Sequence, residues 1–181
     1  MSDTLGQVYL ESAVKRLMSY KTLGDGTFSQ LEEKDFHFKP NEQSNSLAVI
    51  VRHLHGNMMS RWTNFLTEDG EKPGRNREEE FDEPAASKEQ LLTLWEEGWA
   101  CLLNTLNSLK EDDLLKTITI RHEPLLAIDA INRQLAHYPH HVGQIVYIGK
   151  MIRGAAWQSL SISKGASQAF NQFMQDKHAR R

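Results

Sequence analysis

The sequence predicts an all-α protein: a four-helix bundle with a short β connection before the fourth helix and an extra helix near the C-terminus. Three observations support this fold class. Four long segments carry apolar residues at helical spacing, a single short stretch is rich in β-branched residues, and no repeat or linker divides the 181 residues. Because amphipathic helices bury their apolar stripes against one another, we expect one domain over residues 1–181.

The first two helices follow from apolar spacing and turn signals. Helix one is expected from Leu5 to about Tyr20, and the turn signal at residues 24–26 is expected to end it. Asn45 or Ser46 can cap helix two, because either side chain can accept a hydrogen bond from a free backbone N–H of the first turn. An apolar stripe at helical spacing follows this cap.

The next two helices are predicted from a capping box and from apolar spacing. A polar, loop-like stretch covers about residues 67–86, and Ser87 and Gln90 then form a capping box that begins helix three. Helix four is expected from about Ala127 to near Gly154, where the apolar spacing is close to a heptad.

Two smaller elements complete the predicted fold. The β-branched residues 117–120, followed by Pro124, indicate a short extended or hairpin connection. A last helical segment over about residues 165–177 places Phe170 and Phe173 on one side. We expect that side to pack over the end of the bundle or on a partner chain.

Composition narrows the function classes. The formal charge of −3 and the pI near 6.2 argue against binding to nucleic acid. Cys101 is the single cysteine, which excludes an internal disulfide and a thiolate metal cage and fits a reducing compartment, so we expect a cytoplasmic protein. We expect Cys101 to be a small buried thiol. No export signal and no membrane-spanning segment is expected.

Helix four carries a polar stripe beside its apolar one, with Gln134, His137, His141 and Gln144. The two imidazoles are one turn apart and face the same way, so they can present two nitrogens to one metal ion. Pro139 lies between them and removes a backbone hydrogen bond, which predicts a kink. Alternatively, helix four begins later and Pro139 occupies its first turn.

Helix two carries a similar polar stripe, with His53 and Asn57 next to its core face. A third imidazole from this helix can meet the pair across the bundle. His55 lies two residues away in the apolar stripe, and spacing alone does not choose between it and His53. The alternative to a metal site is that these histidines, like His140, are surface or core-edge side chains.

Four segments carry a resemblance to a known family: SLAVIVRHLHGNMMSRW, EDGEKPGRNREEEF, AINRQLAHYPHHVGQIVYIGK and WQSLSISKGAS. Together they resemble the DinB/YfiT-like superfamily, and more closely its branch of uncharacterised bacterial proteins. The likeness runs from helix one to the turn at residues 163–165, and the paired histidines before residues 142–144 are its most specific mark. The resemblance implies an up-down-down-up bundle, often a homodimer, that holds one divalent metal ion through His53, His137 and His141.

Some proteins of this superfamily are thiol S-transferases that use a low-molecular-weight cytoplasmic thiol, and others are maleylpyruvate isomerase-like proteins or hydrolases. The resemblance therefore implies a metal-dependent transferase or hydrolase that acts on a small molecule. Three imidazoles leave a fourth position open for water or substrate, which is typical of catalytic zinc. Zinc or nickel is expected, and iron, manganese and copper are not excluded. The competing expectation is a non-catalytic metal-binding or dimeric interaction module.

Five polar residues are candidates to orient the metal ligands or to contact substrate: Asn57, Gln134, Gln144, Arg75 and Arg77. The two arginines can clamp a carboxylate of an anionic thiol. The alternative is that both are solvated charges beside the acidic residues 78–80.

No general base is assigned by the sequence. Glu123 and Asp129 are candidates if their connection folds over the bundle mouth, and helix capping is the alternative. Residues 163–167 can form an anion-binding nest or an ordinary helix cap. No metalloprotease motif, serine elbow or phosphate loop is present, so peptidase and nucleotide chemistry are not expected.

Overall fold

The computed structural model describes residues 4–179, so the first three and last two residues of the predicted domain lie outside the described residues. The described chain is mostly helical, which confirms the all-α prediction, and carries one two-stranded sheet. Its helices and strands are α1 (Leu5–Phe28), α2 (Leu47–Trp62), α3 (Lys88–Ser108), β1 (Thr117–Ile120), β2 (Glu123–Leu126), α4 (Ala127–Arg153) and α5 (Ser167–Ala179). No described helix is long and apolar enough to cross a membrane.

The end of α1 differs from its prediction. The helix continues through the turn signal at residues 24–26 and ends at Phe28. Gly24 packs directly against the Trp95 ring of α3, where an added Cβ would overlap the ring. Asp25 accepts a hydrogen bond from the Trp95 indole Nε1 at 2.7 Å. Tertiary contacts with α3 therefore override the local preference of these residues for a turn.

The starts of α2 and α3 follow their predicted caps. Of the two candidates for α2, Ser46 is the cap, and its hydroxyl accepts a hydrogen bond from the Val49 backbone N–H at 3.1 Å. The capping box of α3 is present, with the Ser87 side chain bonded to the Gln90 backbone and the Gln90 side chain bonded to the Ser87 backbone. Local hydrogen bonding is sufficient to set both helix starts.

Pro139 lies inside α4, which is continuous from Ala127 to Arg153. The alternative that the helix begins later, with Pro139 in its first turn, is therefore wrong. Gly154 follows the helix with a φ of 52°, a backbone conformation that glycine adopts without strain. The predicted boundaries of this helix are confirmed at both ends.

The predicted connection before α4 is an antiparallel hairpin in which Thr119 pairs with Pro124. Its turn residues Arg121 and His122 have positive φ values of 56° and 64°. The Asp69 carboxylate accepts the backbone N–H of both turn residues, at 2.9 and 2.8 Å. The long loop after α2 is thereby attached to the hairpin.

Contacts near both ends of each helix pair give the relative directions of the long helices. The helices α2 and α3 run in the same direction, as do α1 and α4, whereas α2 runs opposite to α4 and α1 opposite to α3. For α2 and α3 the contacts are His55 with Gly98 and Trp62 with Thr105, and for α1 and α4 they are Tyr9 with Asn132 and Thr27 with Gly149. For α2 and α4 they are His53 with His141 and Trp62 with Tyr138. For α1 and α3 they are Lys21 with Glu96, and Gly6 with Glu111 just after the end of α3.

The core lies between these four helices and is rich in large aromatic side chains. The largest fully buried side chains include Trp62, Trp95, Trp99, Tyr138, Phe28 and Phe36. The helix α5 differs, because all its described residues stay outside the core and Phe170 and Phe173 are 41% and 58% exposed. The expected packing of α5 over the bundle end is therefore not observed.

Candidate metal centre

Three histidines meet between α2 and α4. His53 comes from α2, and His137 and His141 come from successive turns of α4. Each offers one ligand atom, and these atoms lie within 4.8 Å of one another. His53 is buried, and the other two rings are partly buried. The cluster therefore lies between the core and the surface, with protein on one side and access to solvent on the other.

The nitrogens of the helix-four pair are spaced as two ligands of one ion would be. His137 Nε2 and His141 Nε2 are 3.2 Å apart, and the two rings are perpendicular. Two nitrogens bound to a tetrahedral zinc ion at their usual bond lengths are about 3.3 Å apart. The spacing of the pair is therefore compatible with both nitrogens binding one ion.

The second nitrogen of each ring has its own partner. His53 Nδ1 lies 3.0 Å from Glu80 Oε2, His137 Nδ1 lies 3.2 Å from Gln134 Oε1, and His141 Nδ1 lies 2.9 Å from Gln144 Oε1. An ionised carboxylate only accepts, so His53 donates from Nδ1, and in the neutral form of the ring this tautomer places the lone pair on Nε2. This is the arrangement in which proteins hold metal-binding histidines.

The protonation of the pair also suits ligation. Burial lowers the pKa of His137 to about 3, and the positive charge that His141 and His53 can carry acts in the same direction. Burial likewise lowers the pKa of His141 to about 4, although its hydrogen bond to Gln144 opposes the shift. Both rings are therefore neutral near pH 7, and only neutral imidazole donates a lone pair to a metal.

Glu80 is a part of the cluster that the sequence did not reveal. It lies in a short 3-10 turn, is 7% exposed, and receives two hydrogen bonds from Arg75, at 2.7 and 2.8 Å. Burial opposes ionisation of Glu80, but hydrogen bonds from Arg75 and His53 outweigh burial and lower the pKa of its carboxyl. The sequence shows only a run of three glutamates at 78–80, and nothing distinguishes the buried one from its neighbours.

The family of the chain is shown by sequence comparison. Residues 4–166 match the family described as Protein of unknown function (DUF1572). The chain belongs to this family. The match includes the three histidines and Glu80 and ends just before α5. Among curated proteins, none matches the chain.

The two candidate arginines of this DUF1572 chain have different environments. The Arg75 side chain is 5% exposed and is bonded to Glu80, so its interpretation as solvated charge is wrong. Its hydrogen bonds go to Glu80 and Glu71 of the same chain, and the clamp on a substrate carboxylate stays an untested alternative. Arg77 is exposed and lies over the Phe81 ring at 5.3 Å, and Phe81 in turn packs on His53 at 4.9 Å between ring centroids.

Asn57 lies one turn after His53 and is bonded to the core. The Trp62 indole N–H donates to the Tyr138 hydroxyl at 2.8 Å, and that hydroxyl donates to Asn57 Oδ1 at 3.0 Å. Because the Tyr138 hydroxyl donates this hydrogen bond, the Asn57 atom that accepts it is the amide oxygen, and the amide N–H groups of Asn57 point the other way. Asn57 therefore keeps hydrogen-bond donors that Tyr138 does not use.

Other predicted histidines lie apart from the cluster. His55 lines the opposite side of α2 and approaches Glu97 at 3.4 Å. His140 is exposed, and its Nε2 lies 3.2 Å from Gln144 Nε2. The side chains that meet at the cluster of this DUF1572 domain are therefore a subset of the histidines on the two helices.

The remaining candidates are not part of the cluster. Glu123 and Asp129 are exposed, and within residues 4–179 neither forms a hydrogen bond to the cluster. Residues 163–165 are also exposed. Cys101 is partly buried, where full burial was expected, and its sulfur lies 3.7 Å from the Thr63 hydroxyl. The structure thus gives no general base to the DUF1572 site.

Two cavities lie near the cluster, and each is lined by the hydrogen-bond partner of one histidine and not by a histidine of the cluster. A groove of about 480 Å³ runs along α4 beside Gln144 and is also lined by Ile50, Tyr147 and Met151. A second cavity, of about 600 Å³, lies on the other side of α2 and is lined by Glu80. The groove has room for a small molecule next to one of the histidine partners.

Proposed function

We propose that this chain is a divalent-metal-dependent enzyme, a thiol S-transferase or hydrolase that acts on a small molecule. The observation that carries the proposal is the convergence of His53, His137 and His141, whose ligand atoms lie within 4.8 Å of one another. Each ring also has an oxygen partner at its Nδ1. The two Nε2 atoms of α4 also face each other, and oxygen partners that hold the far nitrogens are typical of metal-binding histidines.

The helix directions support placing the chain in the DinB-like superfamily. An up-down-down-up four-helix bundle requires α1 and α4 to run one way and α2 and α3 the other, and the pairwise contacts have this pattern. In such a bundle, side chains on facing helices build the metal site inside the core. His53 lies on α2, and His137 and His141 lie on the facing helix α4, which also supports a place in the DinB-like superfamily.

The donor set favours a particular class of ion. Three neutral imidazoles occupy three positions of a tetrahedral site and leave one for a ligand from solution. Zinc or nickel suits these donors, and iron, manganese and copper remain compatible alternatives. When bound, such an ion supplies a Lewis acid that favours the ionised form of water or of a thiol.

The residues around the histidines would bind and orient the substrate. Gln134 and Gln144 hold the two rings of α4 in place, and the groove beside Gln144 would receive the small molecule. Asn57 lies one turn after His53, and its amide nitrogen would donate a hydrogen bond to a ligand bound beside the histidines, because its oxygen is already engaged. The chain thus supplies orientation, and the ion supplies charge.

The first experiment measures metal binding. The full chain would be stripped with a chelator, incubated with Zn²⁺, desalted and analysed for metal. We expect about one equivalent per chain, with loss of most of it in His137→Ala and retention in His140→Ala, the matched control on the same helix. Equal zinc content in both variants would show that the site assignment is wrong.

The second experiment measures catalysis. The zinc-loaded protein would be mixed with low-molecular-weight thiols and small electrophiles, and separately with ester and amide substrates. A thiol S-transferase consumes the thiol, whereas a hydrolase releases product without it. His137→Ala should abolish either activity. A protein that binds zinc fully but catalyses neither reaction would favour the non-catalytic alternative.

A homodimer, which belongs both to the enzyme proposal and to the alternative of a dimeric interaction module, has one observation in its favour. Phe170 and Phe173 are exposed on α5, and a homodimer would cover them. We propose that this homodimer is cytoplasmic, since the single cysteine fits a reducing compartment. Light scattering should give twice the monomer mass for the full chain and the monomer mass for Phe173→Ser. Equal masses for the two proteins would count against this interface.

A further inference from the structure

Gly56 lies on α2, three residues after His53, and faces Glu80. A Cβ added at this position would overlap Glu80 Oε1 and would lie 2.8 Å from Glu80 Cδ. A glycine inside a helix costs about 1 kcal/mol relative to alanine. The backbone here is ordinary helix, so the glycine serves to leave space, and the Glu80 carboxylate fills that space.

The carboxylate is held in this space by charge. Arg75 donates from Nε to Oε1 and from Nη2 to Oε2, and His53 Nδ1 approaches the same Oε2. Arg75 also lies 3.5 Å from Glu71, which pairs with Arg61 of α2. The loop that carries Glu80 is therefore attached to α2 both at His53 and at Arg61.

Both oxygens of Glu80 are engaged, so the residue is not placed as a fourth ligand of the ion. Its acceptor position lies on the Nδ1 side of His53, whereas the nitrogen with the free lone pair is Nε2. A carboxylate bonded to the far nitrogen of a ligand histidine selects one tautomer, fixes the ring orientation and makes the ligand more basic.

We infer that Glu80 is a positioning residue for His53 and that Gly56 is required because it admits the Glu80 carboxylate. This inference rests on the proposed function, since it concerns how strongly the three-histidine site holds a divalent cation. Glu80 keeps the His53 proton on Nδ1, and loss of Glu80 leaves the ring free to change its tautomer and to rotate. Any side chain at position 56 displaces the carboxylate and has the same effect on His53.

The test compares zinc affinity across four proteins by competition with a chelator: wild type, Glu80→Ala, Gly56→Ala and the double variant. We expect Glu80→Ala to bind zinc about 10- to 100-fold more weakly. Gly56→Ala should show a loss in the same range, and the double variant should bind no more weakly than Glu80→Ala alone. That non-additivity is the signature of two residues that act through one contact.

Two controls keep the result interpretable. Gly143→Ala changes another helix glycine, two residues from His141, where an added Cβ meets nothing within 4 Å, and its zinc affinity should stay within about twofold of wild type. Glu80→Gln keeps the shape and an acceptor oxygen, so it should restore part of the affinity lost in Glu80→Ala. Each metal-free variant should also keep the wild-type circular dichroism spectrum, because an unfolded variant would lose zinc without any specific change at His53.

A second readout uses the metal-free protein. The ¹⁵N spectrum of the imidazoles should show His53 with its proton on Nδ1 in wild type and in Gly143→Ala, and a mixture of tautomers in Glu80→Ala and Gly56→Ala. An unchanged His53 tautomer in both variants, or zinc affinities equal to wild type, would overturn the inference. If the wild type binds no zinc, the proposed function fails, and the tautomer measurement still decides the role of Glu80.

Discussion

Helix α2 packs against α4 along one side, called the α4 seam, and against α3 along another, called the α3 seam, and the two seams differ in the side chains that they bring together. The seam with α4 holds the three histidines and the chain from Trp62 through Tyr138 to Asn57. The seam with α3 is a close apolar contact, in which a Cβ at Gly98 would lie 3.1 Å from Met58 Sδ. We infer that the α3 seam contributes mainly to stability and the α4 seam mainly to ion binding.

His53 and His55 show the same difference within two residues. His53 faces the α4 seam and meets a buried carboxylate that is held in place by Arg75. His55 lies at the rim of the α3 seam and approaches the exposed Glu97. The partners that fix its ring suit a histidine to bind a metal ion, and residue type alone does not decide its role.

The largest stability effect is expected at the α3 seam. Met58 is 1% exposed, and Met58→Ala should lower the free energy of unfolding by about 2–5 kcal/mol because it opens a cavity. Met59 is 38% exposed, and Met59→Ala should change that free energy by less than about 0.5 kcal/mol. Urea unfolding measures both, and zinc stoichiometry should be unchanged. Equal costs for the two substitutions would break the proposed division between the seams.

The α4 seam should make the metal-free protein sensitive to acid. The pKa values of His137 and His141 are lowered to about 3 and about 4, so the unfolded state binds more protons than the folded state below pH 6.5. Their contribution to stability is complete above pH 6.5 and is lost as the pH falls toward these values. The free energy of unfolding should fall by up to about 1.4 kcal/mol per pH unit for each histidine.

Urea unfolding at pH 7, 6 and 5 with a chelator present measures this dependence. The double variant His137→Ala, His141→Ala should show a shallower slope, and His140→Ala should keep the wild-type slope. A slope that is the same in all three proteins would mean that the cluster is not the source of the acid sensitivity.

A substitution at Tyr138 tests the hydrogen bonds between Trp62, Tyr138 and Asn57 in the α4 seam without changing the histidines. Burial raises the pKa of Tyr138, so its hydroxyl stays protonated and bridges Trp62 and Asn57. Tyr138→Phe should lower the free energy of unfolding by about 1–3 kcal/mol, because two buried polar groups lose their partner. Tyr147 is 70% exposed, and Tyr147→Phe should have almost no effect on thermal or urea unfolding. A cost for Tyr138→Phe no larger than for Tyr147→Phe would contradict the bridging role.

The smallest effect compares two helix glycines. Gly143 faces open space, and Gly143→Ala should raise the free energy of unfolding by about 0.5–1 kcal/mol. Gly98 lies in the α3 seam, where a Cβ would be 3.3 Å from the His55 Cα, so Gly98→Ala should be destabilising in the same assay. A stabilising effect of Gly98→Ala as well would show that α2 and α3 move apart at little cost.

Local signals in the sequence predicted most of the fold. The Ser87 and Gln90 capping box, the start of α4 at Ala127 and the hairpin at residues 117–126 depend on nearby residues, and each is observed. The end of α1 was predicted wrongly because Gly24 and Asp25 are used by Trp95, which is distant in sequence. A local turn signal does not end a helix where the same residues make tertiary contacts that favour the helix.

For the site, the sequence by itself determined the paired histidines of α4, because a four-residue spacing on one helix fixes which side chains share a face. Spacing did not separate His53 from His55, only the family resemblance favoured His53, and nothing in the sequence distinguished Glu80 from its neighbours. Only the tertiary structure decided these points, since they depend on which side of α2 faces α4 and on where a distant loop returns to the helix. The burial and hydrogen bonds that select one histidine and one glutamate exist only after the chain has folded.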